Sequence, residues 1–313
     1  MHGKGFAGPA AGVRLLVLDV DGTVTNSRHE ITDATCRAVE RLRAAGIRVV
    51  LATGRRYRDV LPAAARLGVD TPLVTTSGAL VKRPSDHVTL SAARFEAGVL
   101  AGVLGTIVAG GNEPLVFTDS FAEGFDFLCR RLDDGIPPDL DADAEGGGER
   151  VYLHHNRAGA RVVPLLDRAP PADAFAVFAL GDHRRMLDLE EALRAAWPDR
   201  LALHTIKSPR YRDWMCEIAP AGVTKWSGVL RVAGDWGIGP GEICAVGDDV
   251  NDLPMIRGAA LGIAMGNAQP PVLEAADRVV ATHDDGGIEE VADLLLGGLS
   301  QPAPLGKSPE PGR

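Results

Sequence analysis

Two aspartates one residue apart, Asp19 and Asp21, stand at the end of the run Leu15-Leu16-Val17-Leu18-Asp19-Val20-Asp21-Gly22-Thr23. A carboxylate can accept a phosphoryl group covalently. A second one close by can protonate a leaving oxygen and later activate water. A further acid cluster, Asp248-Asp249-Val250-Asn251-Asp252, ends the apolar run 242–247. Another apolar run, 47–52, ends in Thr53-Gly54, whose hydroxyl and backbone amides suit an oxyanion such as phosphate. Lys225 offers a fixed positive charge. Carboxylates packed together repel one another, and raised pKa values or a bound cation resolve the repulsion. With oxygen-only ligands and no Cys/His cluster nearby, Mg²⁺ is the expected ion. The set suits phosphoryl transfer, which rests on positioning and charge neutralisation.

The elements that must position these groups follow from the pattern around them. An apolar run with β-branched residues reads as a strand buried on both faces. Such a strand tolerates acids only at its carboxyl end, where open α/β sheets bind ligands. On a strictly extended strand Asp19 and Asp21 would point the same way, with Gly22 turning the chain. Thr32 or Asp33 caps a helix reaching about residue 45, and Gly46 stands where a C′ glycine belongs. Strands over 47–52 and 72–76, with a helix to about Leu67 between them, complete a β-α-β-α-β start with right-handed crossovers. From about Lys82 to Arg212 the rhythm loosens. Helices are expected near 95–109, 121–132 and 183–197, and strands near 114–118, 150–154, 174–180, 201–205 and 213–218. The acidic, Gly/Pro-rich stretch 133–150 reads as a loop. The parallel rhythm then returns with a helix over 223–233, the strand 242–247 and a short helix holding Pro254 in its first turn. Strands at 260–264 and 278–281 and a helix near 287–297 follow. The expected architecture is α/β: a doubly wound parallel-sheet, Rossmann-like core over 13–81 and 213–298, with an inserted α+β cap domain over 82–212. Tails 1–12 and 299–313 are expected to be flexible.

The totals exclude several classes. The formal charge of −9 over 313 residues argues against a nucleic-acid binder, which would show a basic surface. The N-terminus lacks an apolar signal core. The longest apolar stretch, 97–111, is too short to span a bilayer, and Leu100, Val103, Leu104 and Ile107 fit one helix face. The cysteines Cys36, Cys129, Cys216 and Cys244 are widely spaced, with no CxxC, so a reducing cytoplasm is the expected compartment.

The motifs resemble those of the haloacid dehalogenase-like (HAD) phosphatases, in their order. Asp19-Val20-Asp21-Gly22-Thr23 resembles the first motif, DxDGT. Thr53 in Ala52-Thr53-Gly54-Arg55 resembles the second, Lys225 in Gly222-Val223-Thr224-Lys225 the third, and Gly247-Asp248-Asp249-Val250-Asn251-Asp252 the fourth, GDxxND. Ala264-Met265-Gly266-Asn267-Ala268 resembles an element of the Cof-like, type IIB sugar-phosphatase branch, and the insert between motifs two and three resembles its α/β cap. The likeness covers about residues 13–298. It implies a Mg²⁺-dependent phosphomonoester hydrolase acting on a small phosphorylated metabolite such as a sugar phosphate. Asp19 would be the nucleophile, and Asp21 the general acid and base whose backbone carbonyl also binds metal. Thr53, Gly54, Lys225 and Asn251 would hold the phosphoryl group, and Asp19, Asp21, Asp248 and Asp252 would serve the metal. Phosphate transfer to a second hydroxyl, as in a phosphomutase, and a non-catalytic metabolite-binding regulator are the alternatives. Two positions depart from the branch: Ser77 stands where it commonly has Asn, and Trp226 where it usually has Gly.

Other residues are weighed against plainer readings. Asp249 reads as a loop residue. One of Arg55 and Arg56 is expected in the site, although surface arginines are common. His154 and His155, taken as strand neighbours, point oppositely and form no chelating pair. His283-Asp284-Asp285 fits a turn before the last helix as well as a loop beside the site.

Overall fold

A computed structural model describes residues 12–96, 98–132, 148–208 and 213–297. The tails, 1–11 and 298–313, and most of the acidic loop, 133–147, lie outside the described residues.

β1 (Leu15–Leu18), α1 (Asp33–Ala44), β2 (Arg48–Leu51), α2 (Tyr57–Leu67) and β3 (Leu73–Thr75) form the β-α-β-α-β start. The Thr32 hydroxyl caps α1 by accepting from the Thr35 amide, and Gly68 ends α2 in the left-handed conformation. β4 (Leu80–Lys82) and β5 (Thr89–Ala92) extend β3 into a three-stranded antiparallel sheet. The insert follows with α3 (Val99–Ala109), β6 (Leu115–Phe117), β7 (Phe127–Cys129), α4 (Gly148–His155) and β8 (Ala160–Val162). It continues through β9 (Ala176–Gly181), α5 (His183–Ala196), β10 (Leu201–Lys207) and β11 (Trp214–Pro220). α6 (Lys225–Asp235), β12 (Ile243–Gly247), α7 (Leu253–Gly258), β13 (Leu261–Ala264), α8 (Pro270–Ala275), β14 (Arg278–Val279) and α9 (Gly287–Leu295) close the chain.

The core sheet has the order β14-β13-β12-β1-β2, all parallel. A parallel bridge from Ala52 to Val74 carries it on toward β3. From β1 the chain adds strands in one direction, and from β12 in the other. The order therefore reverses between β1 and β12, and in open α/β sheets ligands bind at the carboxyl ends beside that reversal. Asp19 follows β1, and Asp248 follows β12.

Side-chain parity sets where Asp19 goes. Leu16 and Leu18 pack with Val39 and Leu42 of α1 and with Val291 and Leu295 of α9. Leu15 and Val17 pack on the other face with Val229 and Val232 of α6 and Met255 of α7. Asp19 continues the parity of Leu15 and Val17, toward α6. The strand ends at Leu18 and the chain turns through Val20 and Gly22, so Asp21 leaves that parity.

The insert's sheet has the order β10-β11-β9-β6-β7-β8. It differs from expectation in four places, the first being β8, where no strand was expected. Residues 150–154 belong to helix α4, not a strand; Val151, Tyr152 and Leu153 are all buried, and a short apolar run does not distinguish the two. Residues 121–132 are not one helix. Gly124, at φ +82°, ends a single 3₁₀ turn, and β7 follows with Phe127 and Cys129 in one hydrophobic cluster and Leu128 in another. β11 pairs with both β9 and β10, so the insert's sheet runs to Pro220, whereas a boundary at 212 gave this strand to the core.

Among the described residues no helix is long and apolar enough to cross a membrane. The apolar stretch expected to pack does so as α3, with Leu100, Val103, Leu104 and Ile107 buried. All four cysteines are free thiols.

Gly78 joins the first and last parts of the core. Its φ is +97°, and a Cβ there would lie 2.0 Å from the Thr224 carbonyl oxygen, the residue before Lys225. Gly78→Ala is expected to destabilise the protein by at least about 2 kcal/mol through backbone strain and this clash. The loss should read as a lower urea midpoint at unchanged m-value. A midpoint equal to the parent's would show that the start of α6 yields freely.

Candidate active site

Lys225 is the first residue of α6, and Thr224 and Ser227 form a capping box there. Its ammonium is 2% exposed and donates to Asp19 Oδ1 at 2.6 Å and to Asp252 Oδ1 at 2.7 Å. Asp252 is fully buried, and its Oδ2 accepts from the amides of Asp248 and Asp249 at 3.0 and 3.1 Å. Both Asp252 oxygens are thus engaged, and the residue does not line the cavity that Asp19 and Asp248 face. Asp248 Oδ1 accepts from the Thr23 hydroxyl at 3.0 Å. At Gly22, φ is +76° and a Cβ would lie 2.2 Å from Asp248 Oδ2, so only glycine lets the two loops meet. Asn267 donates to the Gly22 carbonyl and accepts from the His283 amide, bracing this loop from the far edge of the sheet.

Carboxylate oxygens of Asp19, Asp248 and Asp252 lie within 4.8 Å of one another. Burial, with Asp252 nearby, pushes the Asp19 carboxyl up to about 8. Burial, then Asp19 and Asp252, pushes Asp248 up to about 9. Burial opposes the charge on Lys225, yet Asp19 and Asp252 hold its pKa above the ordinary value. One ammonium does not neutralise three carboxylates, and this all-oxygen donor set fits a hard divalent cation. Among the described residues no other cluster of His, Cys, Asp or Glu has such geometry, His154 and His155 included.

Asp21 stands apart from that cluster. Arg55 Nε donates to its Oδ2 at 2.7 Å and Nη2 to its Oδ1 at 2.6 Å, a bidentate fork. Arg56 turns the other way, to Asp59 Oδ2 at 2.5 Å and to Asn156 Oδ1 of the insert at 2.7 Å. Both arginines line the cavity, where sequence reasoning expected one of them.

Thr53 is buried, and its hydroxyl accepts from the Arg55 amide. The turn after β3 clamps this loop: the Thr76 amide donates to the Arg55 carbonyl and the Ser77 amide to the Thr53 carbonyl. Thr76 and Ser77 have φ of +49° and +52°, a conformation that costs a β-branched residue about 1–3 kcal/mol. Asn251 is buried beside Gly54, and its Oδ1 has no partner. Trp226 packs against Gly258 of α7 and does not line the cavity.

The cavity holds about 320 Å³. Asp19, Asp21, Thr53, Lys225, Asp248 and Asn251 form its floor, and Gly54 and Asp249 also line it. Tyr152, Phe178, Ile206, Met215 and Glu217 of the insert face them. The sequence reading named none of these five as site residues.

A family model described as haloacid dehalogenase-like hydrolase matches residues 16–291. The chain belongs to this family. Phosphatase YwpJ of Bacillus subtilis (strain 168) is 25% identical to this hydrolase over 296 residues, which is 91% of this chain and 100% of the relative. The 5-amino-6-(5-phospho-D-ribitylamino)uracil phosphatase YitU of the same organism is 28% identical over 276 residues, covering 88% of this chain and 94% of its own. A crystal structure of a haloacid dehalogenase-like hydrolase from Bacteroides thetaiotaomicron superposes with a TM-score of 0.70 at 25% identity, over 90% of this chain and 98% of that one. The hydrolase is a Cof-like phosphatase, acting on phosphoric monoesters.

Glu217 carried a signal that sequence reasoning passed over: a lone acid inside the apolar run Trp214-Met215-Cys216-Glu217-Ile218-Ala219. It is 3% exposed, and its Oε2 accepts from the Ser77 hydroxyl at 2.6 Å. Its Oε1 has no partner, which costs a buried acceptor about 1–3 kcal/mol. Burial pushes its carboxyl from the ordinary 4.5 up to about 7, against the pull of Ser77 and Lys225. The native state therefore keeps a proton that the unfolded chain releases between those values, and stability falls as pH rises through that window. Glu217→Gln removes the effect. Urea unfolding at pH 5 and pH 8 should show the variant gaining roughly 2–3 kcal/mol on the parent between the two. Parallel pH profiles would mean that Glu217 ionises freely.

Proposed function

We propose that this hydrolase is a Mg²⁺-dependent phosphatase of small phosphorylated metabolites, sugar phosphates among them, working through an aspartyl-phosphate on Asp19. The observation that carries the reading is the meeting of Asp19, Lys225 and Asp248 at the sheet's reversal point, beneath a cavity roofed by the insert. A volume of about 320 Å³ suits a small molecule. The four free cysteines fit a cytoplasmic protein.

In this reading Lys225 holds Asp19 by one oxygen and leaves the other to attack phosphorus. The Thr53 hydroxyl, the Gly54 amide and the Asn251 amide group receive the phosphoryl oxygens, with the Lys225 ammonium supplying positive charge. As the phosphorus–oxygen bond to the alcohol breaks, Asp21 gives that oxygen a proton. Asp21 then takes a proton from water, which attacks the phosphoaspartate, frees phosphate and restores Asp19. Asp19 and Asp248, with the main-chain carbonyl of Asp21, would hold Mg²⁺; Asp252 steadies Lys225 and the Asp248 amide. When bound, Mg²⁺ offsets the charge of the carboxylates and of the phosphoryl group. Both Asp21 oxygens accept from Arg55, so carrying a proton requires Asp21 to give up one of these hydrogen bonds. A phosphate dianion beside Thr53 competes for the same guanidinium.

Phosphate release should be measured with p-nitrophenyl phosphate and a panel of sugar phosphates. Turnover should require Mg²⁺, vanish with a chelator and return on adding the metal. Asp19→Asn should lower kcat on the order of 10³-fold or more. Undiminished turnover by Asp19→Asn would overturn the mechanism, and the absence of turnover for every ester would overturn the activity.

A further inference from the structure

Glu217 lies in the middle of β11, the last strand of the insert, and the chemistry above leaves it unused. Its Oε2 is fixed by Ser77, and Ser77 is itself fixed by the backbone bond to Thr53. Its Oε1 lies beside the phosphoryl-binding loop, 3.1 Å from where a Cβ on Gly54 would stand. The carboxyl lines the cavity next to apolar Phe178 and Met215. Above about pH 7, where the carboxyl is ionised, one oxygen is held by Ser77 and the other stays open as a preorganised acceptor, and buried acceptors are rarely left without a donor. The carboxyl also disfavours a second phosphate or a carboxylate at this spot. A hydroxyl on the leaving alcohol fits as that donor.

We propose that Glu217 is a specificity-determining residue that accepts a hydrogen bond from a hydroxyl of the substrate's leaving group. It selects phosphate esters of hydroxylated alcohols over their deoxy counterparts. This rests on the phosphatase reading above.

The test uses glycerol 3-phosphate, its two monodeoxy analogues (2-hydroxypropyl and 3-hydroxypropyl phosphate) and propyl phosphate. At pH 8, where the Glu217 carboxyl is ionised, wild-type kcat/KM should fall about tenfold or more when one of the two hydroxyls is removed, because a site built to bind a hydroxyl rejects the analogue lacking it. Glu217→Leu should bring that ratio to within about threefold, and Glu217→Gln, whose amide oxygen still accepts, should fall between. Calorimetric titration of Asp19→Asn with the same four esters should give the same order of Kd values. The thermal midpoint of Glu217→Leu at pH 8 should equal or exceed the parent's, since the leucine removes an unpaired buried acceptor.

Equal wild-type kcat/KM for all four esters, or an unchanged ratio in Glu217→Leu, overturns the Glu217 assignment and leaves the phosphatase reading standing. A lowered thermal midpoint in both Glu217 variants, with the ratio intact in whatever folds, assigns Glu217 to structure alone. No turnover of any ester, together with ordered binding by Asp19→Asn, overturns the phosphatase reading and supports the Glu217 contact. Neither turnover nor binding overturns both.

Discussion

The buried ammonium of Lys225, shared between Asp19 and Asp252, is the interaction on which the rest of the site depends. Its three charges belong to three elements: the end of β1, the start of α6 and the loop after β12. Asp19 and Lys225 are 206 residues apart in sequence, with the whole insert between them. Taking these charges out of water is expensive, and leaving any one unpaired costs about 3–5 kcal/mol. The arrangement also runs against local preference. A cation in the first turn of a helix opposes the helix dipole, and Thr224 and Ser227 satisfy the exposed amides instead. Lys225 stands there because the carboxylates need it.

The second constraint is that Asp19 and Asp21 have unlike surroundings although one residue separates them. β1 ends at Leu18, and Gly22 at φ +76° turns the chain toward Asp248. Asp19 keeps the strand's parity and meets Lys225, while Asp21 swings out to Arg55. The proposed mechanism asks for this difference: its nucleophile needs a fixed position and an ionised oxygen, and its proton carrier needs a partner it can leave. The backbone of the loop that presents Arg55 is held by Thr76, Ser77 and Thr53, so the Arg55 fork can open by motion of the arginine side chain.

The core was legible from sequence because its signals are local and agree with one another. Apolar strands, the Thr32 cap and left-handed glycines at Gly46 and Gly68 mark the first two βα units, and the polar clusters stand at strand ends. The insert was less legible because its elements are defined by pairing. A run such as Val151-Tyr152-Leu153 is equally apolar in a helix or a strand, and only its neighbours decide. β11 was divided from its sheet because the sequence shows an apolar run there but not that it pairs antiparallel with β9 and β10. The Phe127–Cys129 strand was hidden by flanking residues of helical character.

The site divides along the same line. Asp19, Thr53, Lys225 and Asp248 stand out because each follows an apolar run or opens a helix, positions where a polar residue needs a reason. Glu217 meets the same criterion even more strictly, since it interrupts a buried strand instead of ending one. In β11 the neighbouring side chains Cys216 and Ile218 turn into the insert's own core, while Met215 and Glu217 turn to the cavity. Period two therefore puts the acid on the ligand side of the sheet, paired by Ser77 at the one oxygen that the core reaches. A lone acid within an apolar strand is a stronger pointer to a site than one at its end. The strand's interior offers no water, so a buried acid there must be neutralised by a raised pKa or met by a specific partner on the facing surface, and Glu217 shows both.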